Sequence, residues 1–542
     1  MGVISLDSYI RKTFPSSVRY TKTGSVVGEE VGGKIVTTHF KGLFLDANPF
    51  VYAAAVKAFE SDAILKEHDD KTYEEKIQMV FEFTWAEICQ IVAMVECEEV
   101  YIAFDGPAPR AKTVQQRTRR YPRELPAEGQ FDTTQISCGT HFMQDLCTFI
   151  EFKIQEVNGW GKPVTFSGHT VPGEGEHKVL DKIRTYPANT RVCMYGPDGD
   201  LIMLGLASNL DFYLLKADYS TRNDCDPQYY TIRMKWIKEA LTMPVTPKQH
   251  WADMDENTPM TAFARKIPIG DATKSFVFLG MFLGNDFVPR LEIFDLFING
   301  IDDLYTRYNP IGKRIVYNGR VDKFVFTKLL TNLAAEEANL LAKRTKNPFP
   351  LLEKHLEAGK LDFTNFRKEY YKDWVHIEET QIEEMCHNYL DTIWWCWIYY
   401  TRGCPTPNHF YKYHYPPFCC DLQKASVTWR IPQFQMTPFK TPFQQLVAIL
   451  PPNRKELLPE KYHHLFEGPA FPKLKNVVKN SQGKDPKFEA TFELPFFTDV
   501  IDVQHNHKHP RNTLTKDRVF TPGKEKFKVK SKWGKCVTTL SG

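Results

Sequence analysis

Residues 100–120 read VYIAFDGPAPRAKTVQQRTRR. An apolar run ends in the carboxylate of Asp105, a Gly-Pro pair turns the chain, and a stretch of helical composition follows. That stretch carries Arg110, Lys112, Arg117, Arg119 and Arg120 with no acid among them. A short apolar run bounded by turn residues reads as a buried strand. Strand, turn and helix in that order form the repeating unit of a parallel sheet. Five cations behind a strand-end carboxylate have two readings, a solvated helix face or a site for an anion.

The same unit recurs through the first part of the chain. GLFLD (42–46), PVTFS (163–167), RVCMYG (191–196) and DFYLLK (211–216) read as further strands. Residues 73–96 and 176–186, and a shorter stretch after Asp200, have helical spacing. FVFLGMFLGNDF (276–287) is an apolar segment that ends in a polar turn. The expected fold class is therefore α/β: a mainly parallel, twisted sheet flanked by helices over residues 1–295. A helical, aromatic-rich region is expected over 296–470, with helices at 323–345 and 364–400, the second long enough to project from the body. Residues 403–418 are rich in Pro and aromatics, and 471–542 read as a loop-rich, basic tail.

Composition narrows the class. At 542 residues, with 42% hydrophobic and 25% charged residues, the chain has the balance of a globular protein. Its formal net charge is only +3, so any nucleic-acid surface must concentrate cations locally. The twelve cysteines include no CxxC pair, which argues against a zinc knuckle and, without a signal peptide, suggests a reducing compartment. No apolar run is expected to reach membrane-spanning length, and Leu6 stands where a myristoylation motif needs Ser or Thr. The expected setting is cytoplasmic, with a nuclear one as the alternative and no membrane partner.

The placement of the acids carries the chemistry. Asp46 and Asp105 end strands, Glu174 and Glu176 sit in VPGEGEHK, Asp198 and Asp200 in GPDGDL, and Asp286 in LGNDF. Ligands of open α/β sheets gather at the carboxyl ends of the strands. Seven carboxylates gathered there repel one another unless a cation compensates. Any one of them alone also reads as a helix or turn cap; the set, spread over five strand-end placements, does not. Oxygen donors without a matching His/Cys set favour hard ions, Mg²⁺ or Mn²⁺. Two such ions about 3.5–4 Å apart can activate a water and stabilise the leaving oxygen of a phosphodiester. On a helix over 110–121, Lys112, Gln116, Arg119 and Arg120 share one face. Beside such a centre, that face suits a phosphate.

These motifs together resemble the XRN family of 5′→3′ exoribonucleases. The resemblance rests on LDAN (45–48), FDGPAPRAKTVQQRTRRY (104–121), GTHFM (139–143), SGHTVPGEGEHK (167–178), GPDGDLIMLGL (196–206), FLGNDFVP (282–289) and YKYHYPPF (411–418), in order over roughly residues 1–465. It implies a PIN/5′-nuclease-like core. Asp46, Asp105, Glu174, Glu176, Asp198, Asp200 and Asp286 would form a Mg²⁺ centre of two ions, Mn²⁺ being the alternative. Lys112, Gln116, Arg119 and Arg120 would hold the 5′-monophosphate of a decapped single-stranded RNA, cut to nucleoside 5′-monophosphates as in mRNA decay. The sequence departs from the family at the base clamp. Tyr52 stands at the position of a stacking His, and PNH (407–409) replaces a WxW segment, leaving His409 in place of its second Trp. Tyr52 and His409 are thus expected to flank the first base. Gly199 replaces an Ala between the paired aspartates. The large C-terminal domains of the long relatives and the zinc knuckle of nuclear ones are expected to be absent.

Other features have plainer readings. Trp394, Trp395 and Trp397 fall on a helical stretch and are expected in the core. His177 either orients a carboxylate or is structural, and HNHKH (505–509) reads as an exposed linker. Lysines alternating with apolar residues over 526–533 suit an extended RNA-binding arm, a solubilising tail or an import signal. Two other functions compete with exoribonuclease: a flap-type DNA 5′-nuclease, for which no helix-hairpin-helix is found, and a non-catalytic RNA-binding protein, against which all seven acids stand.

Overall fold

The computed structural model covers residues 6–21, 25–31, 34–60, 71–218, 228–242, 269–294, 297–343, 350–472, 479–480, 491–496 and 509–523. Its centre is an eight-stranded sheet. In chain order the strands are β1 (Val18–Thr21), β2 (His39–Asp46), β3 (Glu96–Ala103), β4 (Val164–Ser167), β5 (Arg191–Tyr195), β6 (Asp211–Asp218), β7 (Gln228–Arg233) and β8 (Arg518–Phe520). Their spatial order is β1-β7-β6-β5-β2-β3-β4-β8. The five strands from β6 to β4 run parallel, and β7, β1 and β8 add antiparallel edges.

The parallel strands read as unbroken apolar runs because helices cover both faces. Alternate residues then feed two cores. Leu43, Leu45, Val100 and Ile102 pack with helices α1 (Asn48–Glu60), α2 (Tyr73–Met94) and α4 (His141–Glu156), with α3 (Arg110–Arg120) lying between the last two in sequence. Phe44, Tyr101, Ala103 and Met194 face the other side, with α5 (Gly175–Ile183) and α6 (Asp200–Ala207). That second core continues without a break into α7 (Ile269–Gly280), α8 (Lys323–Ala342) and α9 (Ile382–Arg402). Packing therefore runs straight through the 295/296 division drawn from sequence texture.

Register aligns the strand ends. Asp46 pairs with Ala103, Ala103 with Ser167, and Leu45 with Tyr195. The segments that leave these strands all start from one edge of the sheet, which is where the acids lie.

Three expectations need correction. The stretch 364–400 is not one helix: Phe363–Glu369 passes into a π-helical turn, Tyr370–Val375, and His376 adopts φ 61° before α9 begins. A π turn and a left-handed residue both break the helical register. Nor does α9 project: Tyr389, Trp395, Trp397 and Tyr399 on it are each at most 2% exposed. Second, α2 is 22 residues long and apolar enough by hydropathy to cross a membrane. Here its Val80, Phe81, Ile88 and Ile91 are buried against the sheet, and a core helix of an α/β fold passes the same test.

Third, part of the tail is built into the fold. Residues 509–523 run along the sheet and supply β8, antiparallel to β4. Arg518 pairs with Glu151 at 2.6 Å, and Tyr101 donates its hydroxyl to Asp517 at 2.7 Å. Arg511 is buried, donates to the Gly139 carbonyl at 2.8 Å and lies over the Phe443 ring. Arg511 serves packing and leaves the count of cations available to RNA, whereas Arg518 is exposed and held in a surface ion pair. Of HNHKH only His509 is described; it accepts from the Arg511 N–H and is part of a turn. The alternating lysines at 526–532 lie outside the described residues.

Because Arg511 has a charge-assisted bond in a buried position, Arg511→Ala is expected to cost about 2 kcal/mol. Urea unfolding of the full chain measures it; a loss under 0.5 kcal/mol, roughly the scatter of surface substitutions, would mean the docked tail is unimportant.

Candidate active site

The strand-end acids are held by backbone as much as by each other. Phe104 N–H bonds to Ser167 O at 2.9 Å, which carries the β3–β4 pairing to the residue before Asp105. Asp105 and Asn48 then form a reciprocal pair: Asn48 Nδ2 donates to Oδ2 at 2.9 Å, and the Asp105 N–H donates to Asn48 Oδ1 at 3.0 Å. The other oxygen of Asp105 accepts from the Gly175 N–H, at the first residue of α5, at 2.7 Å. A β-carbon at position 175 would sit 2.7 Å from Asp46 Oδ1, so only glycine lets the helix start this close to the strand ends.

This geometry gathers the acids. Asp46, Asp105 and Glu176 each place a carboxylate oxygen within 4.8 Å of the others, and Glu174, Glu176 and His177 form a second such trio. Asp198 lines the same cavity. Asp200 is buried close enough to Asp198 and Asp286 to feel both charges. Lys112 joins the remaining pair, with Nζ 2.6 Å from Glu174 and 2.8 Å from Asp286. The structure thus brings together all seven predicted carboxylates.

Their electrostatics are lopsided. Burial, and after it the neighbouring acids, raise Asp46 and Glu176 well above the ordinary carboxylate range. The same two causes push Asp200 up to about 7, and burial raises Glu174 despite Lys112. Asp286 alone goes the other way: burial acts to raise it, but Lys112 and Arg119 hold it below its usual value. One buried ammonium cannot neutralise the set. Asp46 Oδ1 and Asp200 Oδ1 are buried with no hydrogen-bond partner among the described residues. Buried, unpaired carboxylate oxygens fit hard divalent cations. Asp46, Asp105, Glu174, Glu176, Asp198 and Asp200 are the residues placed to hold them.

The cationic helix opens into the same cavity, of about 430 Å³. Lys112, Gln116, Arg119 and Arg120 all line it, as the i, i+4, i+7, i+8 spacing requires. The other two cations of the run anchor the helix. Arg117 is buried and donates to the carbonyls of Ala470 and Pro495. Arg110 stacks 4.0 Å over Phe410. Arg120 donates to Ser137 Oγ at 2.9 Å, and Gln116 is held by Gln445 of α10 (Pro442–Ile449). Ser137, Gln445 and Arg123 line the cavity too, and sequence reading missed all three. Arg123 sits just past the helix and carried no periodic signal; Gln445 arrives from over 300 residues away.

Tyr52 lines the cavity from α1 and is 37% exposed. His409 is not brought to it. Its Nε2 lies 2.9 Å from Thr392 Oγ1, and its ring packs between Trp395 and Phe434. The expected pair of facing rings therefore does not form in this structure, because α9 and the 429–436 segment enclose the imidazole. His177 is also interior: it stacks on Tyr399, and burial pushes its pKa down, which keeps it neutral.

A parallel sheet that gathers carboxylates at one edge, under a cationic helix facing the same cavity, defines an α/β protein suited to holding divalent ions beside a phosphate. Comparison with known proteins is more specific. The model described as XRN 5′-3′ exonuclease N-terminus matches residues 1–129 and 122–218, and the Xrn1 helical domain matches 351–520. Together they span more than half of the chain, which belongs to the XRN family. Among its relatives, human 5′-3′ exoribonuclease 1 is 27% identical over 84% of this chain and 32% of its own length. The Schizosaccharomyces pombe 5′-3′ exoribonuclease 1 is 25% identical over 74% of this chain and 42% of its own. Yarrowia lipolytica 5′-3′ exoribonuclease 2 is 24% identical over 100% of this chain and 72% of its own. The chain thus spans well under half the length of the first two.

The under-compensated cluster predicts opposite effects on stability and binding. Asp46→Asn should raise the melting temperature of the metal-free chain, by relieving repulsion, and remove most of the rise that Mg²⁺ produces in the unmodified one. At a hundredfold excess over Kd that rise corresponds to about 2.7 kcal/mol. It should be larger at pH 8 than at pH 6. Asp200, pushed up to about 7, carries at pH 6 a proton that an ion must displace, and at pH 8 that proton is mostly gone. Thermal scans with and without Mg²⁺ check both, and equal shifts in the two proteins would refute the site.

Proposed function

We propose that this protein is a Mg²⁺-dependent 5′→3′ exoribonuclease that hydrolyses single-stranded RNA from a 5′-monophosphate end and releases nucleoside 5′-monophosphates. The observation that carries the reading is that the cationic face of α3 and the acidic cluster open into one cavity, with Lys112 in contact with both. The names of the curated relatives support the same direction of attack. Mg²⁺ is favoured over softer ions because carboxylate oxygens dominate the donor set, with His177 the one imidazole beside it among the described residues.

The chain's own residues divide the work. Arg119 and Arg120 present guanidinium forks suited to the terminal phosphate oxygens, with Gln116 as a neutral donor. A 5′-phosphate docked there would share its cavity with the carboxylates of Asp46, Asp105, Glu176 and Asp198. Asp46, Asp105, Glu174, Glu176, Asp198 and Asp200 would hold divalent ions, which would supply a nucleophile at neutral pH and stabilise the leaving oxygen. Tyr52 offers its ring face to the first base from the cavity wall.

End-labelled RNA and DNA carrying 5′-OH, 5′-phosphate or 5′-triphosphate, each with Mg²⁺ or EDTA, test the whole reading. Mononucleotides are expected from 5′-phosphorylated RNA with Mg²⁺ and from no other combination. Faster cutting of DNA flaps, or binding without hydrolysis, would replace the proposal with another.

Two substitutions separate end recognition from stacking. Arg119→Ala should cost about 1–3 kcal/mol in kcat/KM, confined to 5′-phosphorylated substrate; an equal loss on 5′-OH RNA would make the helix a general electrostatic surface. Base–aromatic stacking is worth about 1–3 kcal/mol, so Tyr52→Ala should shorten the run of cuts per binding event more than it slows the first. Product lengths under trap conditions report this, and an unchanged distribution would remove Tyr52 from the substrate path.

A further inference from the structure

The chemistry above leaves unused the element that closes the acidic cluster from the helical region. Near its C-terminal end, α9 brings Tyr399 into that cluster, and the side chain is 2% exposed. Its hydroxyl donates to Glu174 Oε1 at 2.9 Å, while Lys112 pairs with Oε2. The ring lies flat on His177, with centroids 3.5 Å apart and planes 4° apart. It also meets the edge of Phe287, the residue after Asp286, at 5.6 Å, and Trp395 backs it at 4.7 Å. One side chain therefore touches both the Glu174–His177 segment and the loop that carries Asp286.

The last torsion of a glutamate is broad, so a carboxylate bonded through one oxygen is free to turn. Lys112 grips one oxygen only, and it is shared with Asp286. A hydroxyl on the other oxygen sets the carboxylate plane. The stacked His177 and the edge of Phe287 in turn leave the tyrosine ring little room to turn. We infer that Tyr399 is a positioning residue of the metal centre, holding Glu174 in the orientation the centre needs and tying it to the Asp286 loop. The inference rests on reading Glu174 as part of that centre. Outer partners of this kind orient ligands, and losing one costs about 10–100-fold in metal affinity.

The test uses the full chain. Tyr399→Phe keeps the ring and removes only the donor; Tyr370→Phe, whose buried hydroxyl donates instead to Pro416 O at 2.8 Å, controls for the loss of one interior hydrogen bond. Calorimetric titration with Mg²⁺ and Mn²⁺ should show about 10–100-fold weaker binding for Tyr399→Phe and no change for Tyr370→Phe. At limiting Mg²⁺, kcat on 5′-phosphorylated RNA should fall with KM unchanged, and added Mg²⁺ should restore it. In a Glu174→Gln background, Tyr399→Phe should have no further effect on metal affinity, since the two act as a unit. Unaltered metal affinity in Tyr399→Phe, or additive losses in the double variant, would overturn the inference while leaving the nuclease reading intact. Failure of the unmodified chain to bind either ion would overturn both.

Discussion

Lys112 Nζ lies 2.6 Å from Glu174 and 2.8 Å from Asp286, inside a cluster of seven carboxylates. Burying carboxylates costs free energy unless they are paired, and here pairing is incomplete. The rest of the architecture follows from having to assemble such a cluster and keep it. Strand register brings the acids to one edge, and α5 starts against Asp105 so that its Gly175 N–H satisfies one carboxylate oxygen. The helical region then covers the cluster from the far side. Stability is given up at this point in exchange for carboxylates placed to bind cations, a trade usual at functional sites.

On the proposed function, the same ammonium links end recognition and chemistry within one cavity. Lys112 belongs by sequence to the cationic face of α3 and by contact to the acidic centre. A phosphate docked on Arg119 and Arg120 would approach that ammonium and draw on the same charge. The two functions are thus electrostatically linked, with the helix anchored from behind by Arg110 and Arg117.

The aromatic clamp that the family resemblance implies is only half present here. Tyr52 keeps an exposed ring at the cavity, but His409 bonds to Thr392 and is packed by Trp395 and Phe434. One ring in place of two lowers the stacking available to hold a base, while leaving the phosphate grip untouched.

Much of this was legible in the sequence. The apolar runs at 42–46, 100–105, 163–167, 191–196 and 211–216 are strands because buried parallel strands must be apolar on both faces, and the acids that follow them sit where those strands end. The spacing of Lys112, Gln116, Arg119 and Arg120 sufficed to put them on one wall, since a helix repeats every 3.6 residues. Local pattern says nothing about partners distant in the chain. The break at Tyr370–Val375, the docking of Arg511, the pairing of Arg518–Phe520 with β4, the enclosure of His409 and the reach of Gln445 to Gln116 were decided only by tertiary packing. So was the bond from Tyr399 to Glu174, made across 225 residues. Sequence by itself determined which side chains have the chemistry; the packing of α9 and α10 against the sheet edge decided which are held in place to use it, because orientation is set by contacts that no local spacing encodes.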